Sequence, residues 1–308
     1  MNCYYCKKEL QIKSIFCPHC KKQVFILDSK IPKNQPSKSI LNEYSKKYFD
    51  RAKLFNLNRK GYDYIYLNNY QKAVEAYTQA LCIDPSNAET LRNRSYAYMQ
   101  IGDFVNAFKD IDDAIKKDPY DALNHHRKGK IYHELGDFNN ALICLNEAVR
   151  LAPNEADFYQ WRSILYLDME EYNKALQDNN IAISLKPDFA VFYFKRGHIY
   201  RELKDLNKSY DDYSKAIELD PQIPVIYSCR GIISFRRNDY EAALSDINAA
   251  IKLDQTNSLY YVYRAQVYHV MNKYNLSLND IEEALIIDPK NEEAQEFKKY
   301  LLKMRNKK

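Results

Sequence analysis

A strict 34-residue period runs through most of this 308-residue chain and constrains its fold more than any other feature. Prolines stand at 85, 119, 153, 187, 221 and 289, each one or two steps of 34 from the next, with Gln255 in the single gap. Alanines 80, 114, 148, 182, 216, 250 and 284 keep the same step without exception. Seven residues earlier lies a second small set, Ala73, Ala107, Ala141, Ala175, Ser209, Ala243 and Ser277. Positions i and i+7 of a helix share a face, so each unit carries a helix that approaches its neighbours closely along one stripe. Upstream, Gly61, Ser95, Gly129, Ser163, Gly197, Gly231 and Ala265 precede Tyr64, Tyr98, Tyr132, Tyr166, Tyr200, Ser234 and Tyr268 by three residues, which places a second helix in each unit. Only six glycines in the whole chain argue against hairpin-rich sheets and against a glycine-rich phosphate loop.

The unit resembles the tetratricopeptide repeat (TPR), whose pattern of a small residue and Tyr in a first helix, then Ala and Pro in and after a second, recurs here seven times over residues 54–290. The resemblance implies an all-α fold: a superhelical solenoid of seven helix-turn-helix repeats, with the last covered by a capping helix in residues 291–308. Phe297, Leu301, Leu302 and Met304 are the apolar residues available for that covering role, and acids first with bases last suits a helix dipole. A further helix is expected over 41–53, before the first repeat.

The seventh position of each unit is always basic. The five units with arginine there, Arg94, Arg162, Arg196, Arg230 and Arg264, carry an aspartate sixteen residues later: Asp110, Asp178, Asp212, Asp246 and Asp280. The two with lysine, Lys60 and Lys128, have Ala76 and Cys144 instead. This pairing predicts a bidentate, partly buried ion pair between the two helices of a unit, a geometry suited to guanidinium and not ammonium.

The amino-terminal part differs in kind. Residues 1–40 hold eight lysines against Glu9 and Asp28, whereas residues 41–308 are almost neutral and project no field for polyanions. Cys3-x-x-Cys6 and Cys17-x-x-Cys20 form two pairs ten residues apart, the spacing of a four-thiolate site for one structural Zn²⁺. Residues 1–27 therefore resemble a zinc ribbon, joined by a linker at 28–40. Four thiolates leave no open coordination position, so catalysis at such a metal is not expected, and a docking role is favoured over nucleic-acid binding. The start MNCYYCKKEL has no apolar signal region, and no run approaches the length of a membrane span, so the expected location is the cytoplasm.

The TPR resemblance implies that the first helix of each unit lines a concave groove for partner peptides. Carried onto this sequence, that groove includes Tyr62, Arg92, Asn93, Tyr96, His126, Arg127, Lys130, Trp161, Phe194, Lys195, His198, Arg201 and Arg236. Aromatic and basic side chains together suit a peptide with acidic and apolar residues. A co-chaperone that clamps the acidic carboxyl terminus of Hsp70 or Hsp90 is the alternative. Asn93 and Arg127 match that clamp, but Asn58, Tyr62 and Leu123 stand where lysine, asparagine and lysine would be needed. An enzyme is not expected: there is no GxxxxGK[ST] or GxSxG, and His133-Glu134 lacks the second histidine of HExxH. Cys82 and Cys144 fall in second helices and read as buried thiols, with Cys229 near the groove and no evident base beside it. The chain is thus read as a non-enzymatic scaffold or adaptor.

Overall fold

The computed structural model describes residues 38–305, and every regular element in that span is an α-helix. The four cysteines of the amino-terminal pairs lie outside the described residues, as does most of the expected linker. The helices fall into two compact units that divide between Tyr120 and Asp121.

In the first unit, α1 (Lys38–Tyr66) and α2 (Tyr70–Leu81) pack antiparallel, followed by α3 (Ala88–Gln100) and α4 (Phe104–Lys117). Residues 41–53 do not form a helix of their own; they run without a break into the first repeat helix, because no glycine or proline interrupts residues 38–60. The second unit repeats the pair with α5 (Ala122–Glu134) and α6 (Phe138–Leu151), α7 (Ala156–Asp168) and α8 (Tyr172–Leu185), α9 (Ala190–Glu202) and α10 (Leu206–Leu219), α11 (Pro224–Arg236) and α12 (Tyr240–Leu253), and α13 (Ser258–Val270) and α14 (Tyr274–Ile287). α15 (Glu292–Arg305) then packs on α14.

Each turn between paired helices is built the same way. The second residue after the first helix adopts positive φ at Asn68, Gly102, Gly136, Glu170, Lys204, Asn238 and Asn272. The next amide N–H reaches back to the carbonyl five residues earlier, as from Asp103 to Tyr98 O at 2.9 Å and from Asp205 to Tyr200 O at 2.9 Å. That closure satisfies carbonyls that the helix end would leave exposed. The residue that closes the turn also starts the second helix, and the side chains of Asn69, Asp103, Asp137, Asp205 and Asp239 cap it.

The periodic alanines are fully buried in every pair. Where serine replaces alanine, its hydroxyl finds a carbonyl across the pair: Ser209 Oγ donates to Gly197 O and Ser277 Oγ to Ala265 O, both at 2.8 Å. The helix-to-helix ion pairs are present in all five units that carry arginine. In each, Nε and Nη2 donate to the two oxygens of one aspartate at 2.7–2.8 Å, from Arg94 to Asp110 through Arg264 to Asp280. The third nitrogen, Nη1, reaches the preceding pair, donating to Thr78, Asn146, Asn180, Ser214 or Asn248. One guanidinium therefore ties together three helices.

At the carboxyl end the expected covering set is only partly used. Ala294 and Leu301 of α15 are buried against Val262, Ala265, Ile281 and Ala284, with Phe297 beside them. Leu302 and Met304 are exposed, because they fall on the two flanks of the stripe that buries Ala294 and Leu301, to either side of the packed face.

Candidate peptide-binding face

The first helices of the second unit place positions i, i+4 and i+7 on one face, and this register assembles the site. On α5 these positions are His126, Lys130 and His133, and all three clasp Trp161 of α7. The Lys130 ammonium lies 3.8 Å from the indole centroid, and the His126 and His133 rings lie 5.9 and 6.5 Å from it. His126 also packs on Phe158 at 5.0 Å. His133 Nε2 meets Asp168 Oδ2 at 2.6 Å and so joins α5 to α7. Arg127, on the same helix, is half-buried.

The register repeats on α9 with Phe194, His198 and Arg201. Phe194 and His198 are 4.6 Å apart, and both lean on the buried Tyr213 of α10. Lys195 stands 5.9 Å from the Phe194 ring, and Arg201 donates two hydrogen bonds to Glu202. His198 Nε2 lies 3.8 Å from the Sγ of Cys229 on α11, so the thiol expected to have no base beside it has an imidazole neighbour. Arg236 is exposed at the end of α11. On α13 the same register gives Gln266, which donates to Glu293, and His269, which packs on Phe297 and Tyr300 of α15.

Burial sets the protonation of these groups. It pushes His126 down to about 3, helped by the Lys130 and Arg127 charges, and His198 down to about 4, helped by Arg201 and Lys195. Burial and the Arg127 charge lower Lys130 to about 8, with Glu134 opposing. The Cys229 thiol is pushed up by burial. At neutral pH His126, His198 and Cys229 are therefore uncharged, and the face carries the positive charges of Arg127, Lys130, Lys195, Arg201 and Arg236.

In the first unit, Tyr62 stands exposed on α1, while Arg92, Asn93 and Tyr96 are half-buried on α3, with the Tyr96 ring edge-on to Tyr70 at 6.3 Å. Two cysteines expected to be buried differ from each other: Cys144 is, whereas Cys82 is exposed because it caps the end of α2. Phe158, Asp168 and Tyr213 belong to the site although the groove positions of the repeat do not name them. The sixteen-residue spacing that marks the arginine pairs also links Gly197 to Tyr213, and that signal was available.

The sequence models of the repeat agree with this geometry. A model described as a TPR repeat matches residues 61–102, and two described as the tetratricopeptide repeat match 123–155 and 190–223. Those three segments are tetratricopeptide repeats. No curated protein matches it. Among solved structures, a TPR protein from Parabacteroides merdae is 18% identical over 82% of this chain and 99% of its own, with a TM-score of 0.60. PilF of Pseudomonas aeruginosa is 15% identical over 69% of this chain and 97% of its own, with a TM-score of 0.61. YrrB, described as a TPR protein with an unusual peptide-binding site, is 18% identical over 61% of this chain and 97% of its own, with a TM-score of 0.50. TPR domains mediate protein–protein interactions, and among the described residues no helix is long and apolar enough to cross a membrane.

Proposed function

We propose that the protein is a non-enzymatic adaptor that holds peptide segments of other proteins against the first-helix face of residues 121–305. The observation that carries this reading is the pairing of cations with rings along that face: Lys130 on Trp161 and Lys195 beside Phe194, with Arg201 near the end of α9 and the exposed Arg236 at the end of α11. Such a surface accepts an acidic side chain on the cation and an apolar one on the ring, without either partner losing its contact with the protein. The likeness to YrrB supports a peptide as the ligand class, by fold alone.

The test is a quantitative pull-down from native lysate with wild type and with a variant carrying Lys195→Ala, Arg201→Ala and Arg236→Ala, shown to melt normally. Proteins lost only from the variant support the reading; an unchanged set removes the face from consideration. A chaperone carboxyl terminus as ligand would reveal itself by loss of binding when the terminal carboxylate of an acidic peptide is amidated.

Cys3, Cys6, Cys17 and Cys20 are proposed to hold one structural Zn²⁺, whose binding would stabilise a piece too short to form its own core. Native mass spectrometry should show one zinc per chain, lost together in a Cys17→Ser, Cys20→Ser variant.

A further inference from the structure

α1 presents an exposed aromatic stripe that no other helix matches among the described residues. Phe55, Tyr62 and Tyr66 are 67%, 65% and 83% exposed. Arg59 is exposed among them, and the spacings of four, seven and eleven residues put all four on one helical face. Leu67, 69% exposed, extends the stripe at the helix end. Three rings of this exposure leave roughly 400 Å² of aromatic surface in contact with water, as much as the largest apolar patch of an ordinary monomer.

The charges flanking this stripe are arranged as their own complement. Arg59 and Asp63 are one turn apart on the same flank, and both are exposed. Two copies of α1 laid antiparallel, with a twofold axis beside Gly61 and Tyr62, bring Arg59 of each copy opposite Asp63 of the other. The same placement sets Phe55 of each against Tyr66 and Leu67 of the other and brings the two Tyr62 rings together at the axis. A parallel arrangement would oppose Arg59 to Arg59 and Asp63 to Asp63. Only the antiparallel pairing satisfies both charges and rings, which is the condition for an isologous interface.

We infer that the α1 stripe is the self-association surface of this protein, forming a twofold dimer through Phe55, Arg59, Tyr62, Asp63 and Tyr66. The stripe alone covers less than the usual 800 Å² per partner, so the dimer is weak and dissociates on dilution. The interface takes Tyr62 from the groove positions that the repeat implies, but none of the residues of 121–305 on which the proposed peptide binding rests, so the two readings are tested by different variants.

The test uses the full chain, with mass measured by sedimentation velocity over a wide range of concentration. Wild type should rise from the 36.5 kDa of one chain toward twice that mass. Arg59→Asp places two acids opposite each other and should weaken the dimer at least tenfold. The reciprocal variant, Arg59→Asp with Asp63→Arg, should restore it. The swap keeps an acid and a base four residues apart, in the order that favours the helix, so melting should not fall. A wild type that stays monomeric throughout, a dimer indifferent to Arg59→Asp, or a double variant that melts normally and does not reassociate would each overturn the assignment.

Discussion

Gly197 lies so close beneath the ring of Tyr213 that a methyl group on it would sit 2.6 Å from Cε1. The ring is fully buried between helices and cannot swing aside. Gly197→Ala is therefore expected to destabilise the protein by about 2 kcal/mol, although alanine is the better helix former. Gly129→Ala meets the Leu145 side chain at 3.0 Å and the Ala141 carbonyl oxygen at 3.3 Å, looser contacts than those at Gly197, and should cost less. Thermal melting of the two variants side by side checks this, and equal midpoints would contradict it.

Arg196 holds Asp212 with two nitrogens and Asn180 with the third. The Asp212 side chain is only 9% exposed, so Arg196→Met leaves a nearly buried carboxylate without its counter-charge. The expected cost is about 3 kcal/mol. Arg196→Met combined with Asp212→Leu should recover most of the loss, since an apolar pair replaces both charges. Denaturation midpoints decide it: a double variant no better than the single one would mean that the third contact, to Asn180, dominates.

Lys204 closes its turn at φ 61°, a region in which a side chain crowds the following carbonyl. Gly102 and Gly136 do the same work without that strain. Lys204→Gly should raise stability by about 1 kcal/mol, and Gly102→Ala should lower it by a similar amount. A drop in the melting midpoint of Lys204→Gly would show that the lysine side chain contributes more than its backbone costs.

His126 and His198 have folded-state pKa values of about 3 and about 4, below their ordinary 6.5. Each binds fewer protons folded than unfolded over the interval between, so stability is complete above pH 6.5 and falls as the pH drops toward 4. The slope reaches up to about 1.4 kcal/mol per pH unit for each histidine. Melting midpoints of wild type and His126→Gln, followed from pH 7.5 down to about 4.5, test this. The variant should show the shallower decline; parallel curves would remove His126 from the account.

The arginine pairs were legible in sequence because arginine and aspartate appear together or not at all, a covariation within one chain. The third contact was hidden, since its acceptor is threonine, asparagine or serine and no single residue type marks it. The positive-φ turn was hidden for a similar reason: Glu170 and Lys204 stand where glycine or asparagine would have announced it. At the candidate site, repeat position tells which way Lys130 and Trp161 point. It does not tell that the ammonium rests on the indole, because that depends on the distance between adjacent helix pairs, which side-chain volumes set collectively. Leu302 and Met304 show the converse limit, for an apolar residue on a terminal helix buries only if its angular position meets a neighbour.

The guanidiniums of Arg162, Arg196, Arg230 and Arg264 make their contacts at fixed offsets of sixteen residues forward and sixteen back, and so make no reference to how many repeats the chain holds. Excising 34 residues in phase, for example 180–213, would join Asn179 to Ser214 and leave Arg162, Arg230 and Arg264 each with an aspartate ahead and a polar acceptor behind. Array length can therefore be edited without redesigning any joint, which makes the number of repeats a quantity that duplication and deletion are free to adjust.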